Sequence, residues 1–263
     1  MTPASTSAPA RAWWPSAPRP WPILAFPRRS SATWSSTVAE IIIALDLPGA
    51  DARRLLDQIP EARWVKVGSI LFAEEGPAFV REMAGRGLSV FLDLKWHDIP
   101  NTVAGAVRGA RALGVQMATI HTLGGSAMMA AAAEAAGPSL GVVGVTVLTS
   151  HTPEGYAEAV GRGSVTVLDE VARLAGAAGR AGLRGCVCSP HEVATVRAQL
   201  GPEGWVVVPG IRRAGDAAGD QARTAGPREA AQAGATHLVV GRPVLQAQDP
   251  RAAFLEMASA AEG

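Results

Sequence analysis

Lysine is nearly missing from this 263-residue chain: of 24 basic residues, only Lys66 and Lys95 are not arginine. Long apolar runs are missing too. Nothing approaches the roughly 20 consecutive apolar residues of a membrane-crossing helix, so no membrane role is expected. Cysteine is limited to Cys186 and Cys188. They lie two apart in an apolar run that reads as a strand, and are expected to point to opposite faces of it and so not to bridge each other. Two cysteines also fall short of any zinc pattern, which leaves buried thiols in a reducing, cytoplasmic setting. An excess of one charge is lacking as well. The formal net charge is +1, and no run of like charges offers a surface for nucleic acid or a tail for a partner. Any anion the protein binds must be held locally.

Acidic residues are absent from positions 1–39, a stretch with seven prolines, four of the seven tryptophans and four arginines. It has neither helical nor strand periodicity and reads as a disordered leader. The prolines argue against the amphipathic helix of a transit peptide, and a mis-assigned translation start is the simpler account. Without the four arginines the net charge passes from +1 to −3.

From Glu40 onward, short β-rich runs alternate with alanine-rich segments of helical length. The strand candidates are IIIALD from Ile41, WVKVG from Trp64, LSVFLDLK from Leu88, QMATIH from Gln116, GVVGVTVL from Gly141, GCVCS from Gly185, WVVVPG from Trp205 and HLVVGR from His237. Several intervening segments, DARRLLDQI and NTVAGAVRGARALG among them, have helical patterning, and several end at a glycine as a helix stop does. Eight such alternations in about 224 residues predict one (β/α)8 barrel domain over 40–263. A doubly wound open sheet is the rival, but the turn after the first strand, LPGAD, has no phosphate-binding glycine pattern.

Barrel chemistry sits at the C-terminal strand ends. The polar residues expected there are Asp46, Lys66, Asp93, Lys95, His121, Thr149, Ser189, Arg212 and Arg242. Both lysines end strands. In a chain that otherwise uses arginine, a lysine marks a place for a compact ammonium that can release a proton. In FLDLKWHD, alternation turns Leu92 and Leu94 toward the helices and Asp93 and Lys95 into the barrel. Asp93, Lys95 and Asp98 then form an alternating charge array that Lys66 can join, tolerable only if its members pair. Ammonium groups stand where a metal would, so no metal is expected. His97 is read as packing away from the cavity, His121 as a satisfied structural histidine, and Met117, Met128 and Met129 as core fillers.

The string DLKWHDIPNT, Asp93 to Thr102, resembles the signature of the orotidine 5'-phosphate decarboxylases. The similarity continues in ALD at Asp46, WVKVG around Lys66, VTVLTS ending at Ser150, VCSP at Pro190, PGIR ending at Arg212, GDQ ending at Gln221 and VGRP around Arg242. The resemblance implies a cofactor-free enzyme that converts orotidine 5'-monophosphate to uridine 5'-monophosphate and carbon dioxide. It implies that Asp46 and Lys66 bind the ribose, Asp93 faces the substrate carboxylate and Lys95 protonates C6. Thr149 would contact the pyrimidine, and Arg212, Gln221, Gly241 and Arg242 the phosphate. Asp98 and Thr102 would reach into the partner's site in a homodimer. Two departures stand out: Gly226 replaces the threonine usual before Pro227, and Trp96 is bulkier than the residue usual there.

Loss of carbon dioxide from C6 leaves charge in the ring plane, where no π-system spreads it, so fixed positive charge and a ready proton are needed at that carbon. A lysine between two carboxylates supplies both. The required barrier reduction lies near the top of the roughly 8 to 23 kcal/mol usual for enzymes, so binding of the unreacting phosphate has to contribute. Residues 210–226, Gly-rich and polar, read as a lid that closes over it. Two rivals remain: the magnesium-dependent sugar-phosphate barrels, ketogulonate-phosphate decarboxylase and hexulose-phosphate synthase, and an inactive barrel that binds a nucleotide. Lys66 at the strand-two position argues against the first, and the complete charged array against the second.

Overall fold

Runs of β-branched residues such as Ile41-Ile42-Ile43 and Val206-Val207-Val208 favour extended backbone, and strands buried on both faces carry such unbroken apolar runs. The computed structural model, which describes residues 38–213 and 223–262, forms them into eight strands. These are β1 (Glu40–Ala44), β2 (Trp64–Gly68), β3 (Ser89–Trp96), β4 (Met117–His121), β5 (Gly141–Val145), β6 (Gly185–Val187), β7 (Trp205–Val208) and β8 (His237–Val240). All neighbours pair in parallel and β8 returns to β1, closing the expected barrel. Of the expected leader, only Val38 and Ala39 fall within the described residues.

Helices α1 (Gly49–Gln58), α2 (Ser69–Gly85), α3 (Pro100–Ala112), α4 (Gly125–Ala136), α5 (Pro153–Ala159), α6 (Val167–Arg180), α7 (Val193–Leu200), α8 (Pro227–Gln232), α9 (Arg242–Leu245) and α10 (Pro250–Ala261) follow or separate the strands. Helix α2 breaks at Gly76, whose φ of 65° lies outside the helical range, and Pro77 restarts it. Helix α5 has no counterpart in the sequence reading. Thr152 caps it, accepting from the Gly155 N–H at 3.1 Å, and the Tyr156 hydroxyl ties it to the buried Glu170 carboxylate at 3.0 Å. Arg173 and Arg162 hold that carboxylate ionised, down to about 2, Arg173 having the larger effect. Gly226 stands at the α8 N-cap and offers no side-chain bond. No helix among the described residues is long and apolar enough to cross a membrane.

The core has two shells. Alternation sends Ile43, Val65, Leu92, Ile120 and Val240 outward against the helices, while Ile42, Phe91, Met117, Val143 and Val207 fill the barrel. Met128 and Met129 are buried in the outer shell, as core fillers should be. Cys186 and Cys188 are both in that outer shell, with Val187 turned inward between them. This corrects the expectation of opposite faces: strand side chains repeat every two residues, so positions two apart share a face. Both thiols are free, and burial pushes Cys186 up to about 12.

Trp64, Trp205 and His237, each the first residue of its strand, close the barrel's N-terminal end. Their ring centroids lie 5.0–6.4 Å apart. His237 Nδ1 is 2.8 Å from the Thr236 hydroxyl, and burial, with the charge of Arg184, pushes its imidazole down to about 3. An unfolded histidine titrates near 6.5. Between those values the unfolded chain takes up a proton that the folded barrel refuses, so this residue lowers stability as pH falls through that window. By pH 4.5 the loss should reach about 2–3 kcal/mol, at about 1.4 kcal/mol per unit. Urea unfolding of the protein and of His237→Gln at pH 7 and 4.5 checks this. The variant should show a smaller acid loss by about that amount, and equal losses would refute it.

Candidate active site

Barrel closure brings the C-terminal ends of β1 to β4 together, and there the chain places four charged side chains of alternating sign. Lys66 Nζ donates to Asp46 Oδ1 at 2.9 Å and lies 3.8 Å from Asp93 Oδ2. Lys95 Nζ donates to the same Asp93 oxygen at 2.8 Å. One carboxylate therefore lies between two ammonium groups. Lys66 and Asp93 each keep only 12% of their side-chain surface exposed, whereas Lys95 keeps 38% and Asp46 50%. The inner pair is nearly desolvated and the outer members reach the opening. Charge-assisted bonds in such surroundings are strong, and each partner would be costly to leave alone.

Local backbone makes the arrangement possible. Leu92, Leu94 and Trp96 pack outward, which leaves Asp93 and Lys95 facing in, as the alternation predicts. The pairing is not regular, however. From Leu92 to Trp96 β3 advances four residues while β4 advances two, Ala118 to Ile120. Lys95 takes a φ of 51°, and it alone among the described non-glycine residues has a positive φ. Its N–H points at the Thr119 hydroxyl, 2.8 Å away. A left-handed lysine costs about 1–2 kcal/mol, and the bulge re-aims its ammonium. Across the array, Gly68 leaves room for Lys66: a Cβ there would stand 2.9 Å from Nζ and 3.4 Å from Asp46 Oδ1.

The other side of the mouth belongs to β5, β7 and β8. Thr149 is half-buried in the turn after β5. Arg212 is 8% exposed, beyond β7; its N–H donates to the Ala225 carbonyl at 3.0 Å, and its guanidinium donates to the Ile211 carbonyl at 2.8 Å. Gly241 and Arg242 follow β8, the strand beside β1. The helix that Arg242 opens is only four residues long, so the guanidinium, not a helix dipole, is the main source of positive potential at this turn. Gln221 and residues 214–222 of the expected lid lie outside the described residues. The hollows of about 290 and 310 Å³ flank α5 and include none of the charged array.

Two expected site residues stand apart. Asp98 and Thr102 are exposed, and Asp98 Oδ1 only accepts from the neighbouring Ile99 N–H at 2.6 Å. Ser189, expected at the mouth, is fully buried, its N–H held by Glu192 at 2.8 Å. His97 is exposed beside His121, ring centroids 5.7 Å apart. His121 corrects the reading of a satisfied histidine: its buried Nδ1 has no partner. Burial, and then the nearby His97 and Lys95, push its imidazole down from the usual value. Thr119 was missed. Its signal is that it lies two residues before His121 on the inward face of β4. Among the described residues no group of three or more His, Cys, Asp or Glu side chains is placed to hold a metal ion.

Comparison with known proteins adds to this geometry. A model of the orotidine 5'-phosphate decarboxylase / HUMPS family matches residues 39–257. The orotidine 5'-phosphate decarboxylase of Anaeromyxobacter sp. (strain K) is 51% identical over 221 residues, covering 83% of this chain and 96% of that protein. That of Alkalilimnicola ehrlichii is 50% identical over 224 residues, covering 83% and 94%. The crystal structure of orotidine 5'-phosphate decarboxylase from Lactobacillus acidophilus superposes with a TM-score of 0.76 at 32% identity, covering 86% of this chain and all of that one.

The fit around Lys66 is directly testable. Gly68 has φ −91° and ψ 180°, which alanine adopts freely, so Gly68→Ala acts only through its added methyl. A crystal structure of the variant should show Lys66 Nζ displaced from Asp46, and an unchanged separation of 2.9 Å would refute the close fit.

Proposed function

The chain belongs to the orotidine 5'-phosphate decarboxylase / HUMPS family, and from this we propose that its barrel mouth drives decarboxylation by Lys95 delivering a proton to C6 of the substrate. The reaction is the conversion of orotidine 5'-monophosphate to uridine 5'-monophosphate and carbon dioxide, in pyrimidine biosynthesis. The observation that carries the proposed mechanism is the Asp93 carboxylate between the ammonium groups of Lys66 and Lys95.

The substrate carboxylate lies against Asp93, and like charges there raise the energy of the bound acid but not of neutral carbon dioxide. As the C6–carboxylate bond breaks, its electron pair stays on C6 in the ring plane. The Lys95 ammonium, already aimed by its bulge, stabilises that charge and gives it a proton. Nζ is left as an amine that regains its proton from water after product leaves. The groups are oriented before reaction, so little reorganisation is needed as charge develops. Asp46 and Lys66 bind the ribose hydroxyls, and Thr149 contacts the pyrimidine.

The phosphate does not react but anchors the substrate through Arg212, Gly241 and Arg242, with Gln221 as a further contact. A guanidinium fork suits phosphate oxygens, and binding energy from this remote group lowers the barrier at C6. Neither a metal nor an organic cofactor enters these steps.

The working unit is a homodimer in which Asp98 and Thr102 complete the partner's site. Their exposure supports this. So do Ile70, Ile99 and Leu123, exposed by 75%, 66% and 41% just past the ends of β2, β3 and β4. Large apolar side chains gathered on one flank of the mouth suit an interface.

Two measurements test the proposal. Turnover of orotidine 5'-monophosphate, followed by ultraviolet absorbance, should persist in EDTA and fall by at least about 10³-fold in Lys95→Ala, the scale on which general acids and fixed charges act. Turnover that needs added magnesium, or survives in Lys95→Ala, would overturn it. For the shared site, mixed and refolded Lys95→Ala and Asp98→Ala chains should regain activity. A random mixture places both lesions in one site of a hybrid dimer and leaves the other intact, so recovery should approach about one quarter of wild type. No recovery would count against sharing.

A further inference from the structure

Thr119 lies on β4, fully buried, on the same inward face as His121 and directly across the bulge from Lys95. Its hydroxyl makes two bonds of opposite sense. It accepts from the Lys95 N–H at 2.8 Å and donates to Asp93 Oδ1 at 3.0 Å. A hydroxyl has one hydrogen to give and lone pairs to receive, so accepting from the amide leaves its hydrogen for the carboxylate. The other carboxylate oxygen, Oδ2, takes both ammonium groups. Asp93 is thus fixed at both oxygens, and Thr119 alone holds the oxygen that the lysines do not.

We infer that Thr119 is a positioning residue for decarboxylation: through one hydroxyl it sets the plane of the Asp93 carboxylate and holds the left-handed backbone that aims Lys95. The assignment rests on the reading of Asp93 and Lys95 as the groups at the reacting carbon. Without the hydroxyl, Asp93 is free to turn about its last side-chain bond. The Lys95 N–H loses its acceptor, and the bulge loses the contact that offsets its strained φ of 51°. Valine has the shape of threonine and none of its bonds. Serine keeps the hydroxyl. Alanine removes both.

Its two partners, Asp93 and Lys95, are the groups assigned to the reacting carbon and not to the phosphate, so its loss should act on kcat and spare KM. Two bonds involving a charged group and a strained amide correspond to a fall in kcat of about 10- to 100-fold in Thr119→Val, with KM within about threefold. Thr119→Ser should return kcat to within about threefold of the parent, as a role carried by the hydroxyl requires. A buried hydroxyl that merely fills the barrel predicts the reverse, with the valine variant fully active and at least as stable.

The experiment measures kcat and KM for the parent, Thr119→Val, Thr119→Ser and Lys95→Ala, with thermal unfolding of each. Thr119→Ala replaces the valine variant if that chain does not fold. A low kcat, preserved KM and rescue by serine support the inference. Unchanged kcat in the valine or alanine variant, KM rising in step with the loss, or serine no better than valine would overturn it. Full activity in Lys95→Ala would instead remove the reading of Lys95 on which the inference rests, a failure separable from the behaviour of the Thr119 variants.

Discussion

A single carboxylate, Asp93, takes two ammonium groups on one oxygen and a hydroxyl on the other, and the rest of the mouth is arranged around that requirement. Lys66 cannot be so nearly enclosed without it, and it cannot be buried without the lysines. The barrel provides the geometry. Parallel strands of a closed sheet end at one rim, so Asp46, Lys66, Asp93 and Thr119, from β1, β2, β3 and β4, meet there although 20 to 73 residues separate them along the chain. Because the charges satisfy one another with no substrate present, their desolvation is met when the protein folds. It need not be met again when the C6–carboxylate bond breaks, which is what preorganised electrostatic catalysis asks for.

Around that group the mouth divides by task. The half built from β1 to β4 carries alternating charge and one strained lysine. The half built from β7 and β8 carries arginine at Arg212 and Arg242. This division matches the two lysine-specific and many arginine-compatible demands on positive charge. A group that donates a proton has to be able to lose it, and guanidinium does not. A group that grips a phosphate gains from a fixed fork and never needs to change state. In a chain with 22 arginines, both lysines stand in the charged array.

Much of this was legible in residue order alone. The strands announce themselves as short β-branched runs, and all eight appear where expected; β2 has the expected bounds, β3 runs on to Trp96, and most of the others end earlier. The β5 run stops at Val145 because the chain turns away, although Thr146 still bonds the Val187 carbonyl through its hydroxyl at 2.9 Å. Alternation in FLDLK correctly turned Asp93 and Lys95 inward. Other features were hidden for physical reasons. Thr119 looks like any strand threonine, since threonine favours strands whatever its hydroxyl does, and its partners are 24 and 26 residues away. The positive φ of Lys95 leaves no mark in composition, because glycine or asparagine would be the usual sign of such a backbone. Helix α5 is seven residues held by a cap and by the distant Glu170, too short to show periodicity. Asp98 and Thr102 were singled out through resemblance, and the task proposed for them involves a second chain.

The two ends of the barrel solve the same problem in different ways. A polar group inside a closed sheet has to be neutral, bonded or paired. At the sealed end, under Trp64 and Trp205, His237 has no counter-charge and stays neutral, with the Thr236 hydroxyl for a partner. At the open end each lysine and carboxylate has an opposite charge within reach and solvent beyond it. Neutrality suits the end whose work is to close the core. Pairing suits the end whose work is to meet an anion, because paired groups keep their charge and need only exchange partners when substrate enters. Among the described non-glycine residues the left-handed strain is at Lys95 and not at the base: it is tolerable where a bulge sets the aim of a side chain at the open end, and a sealed core has nothing to gain from it.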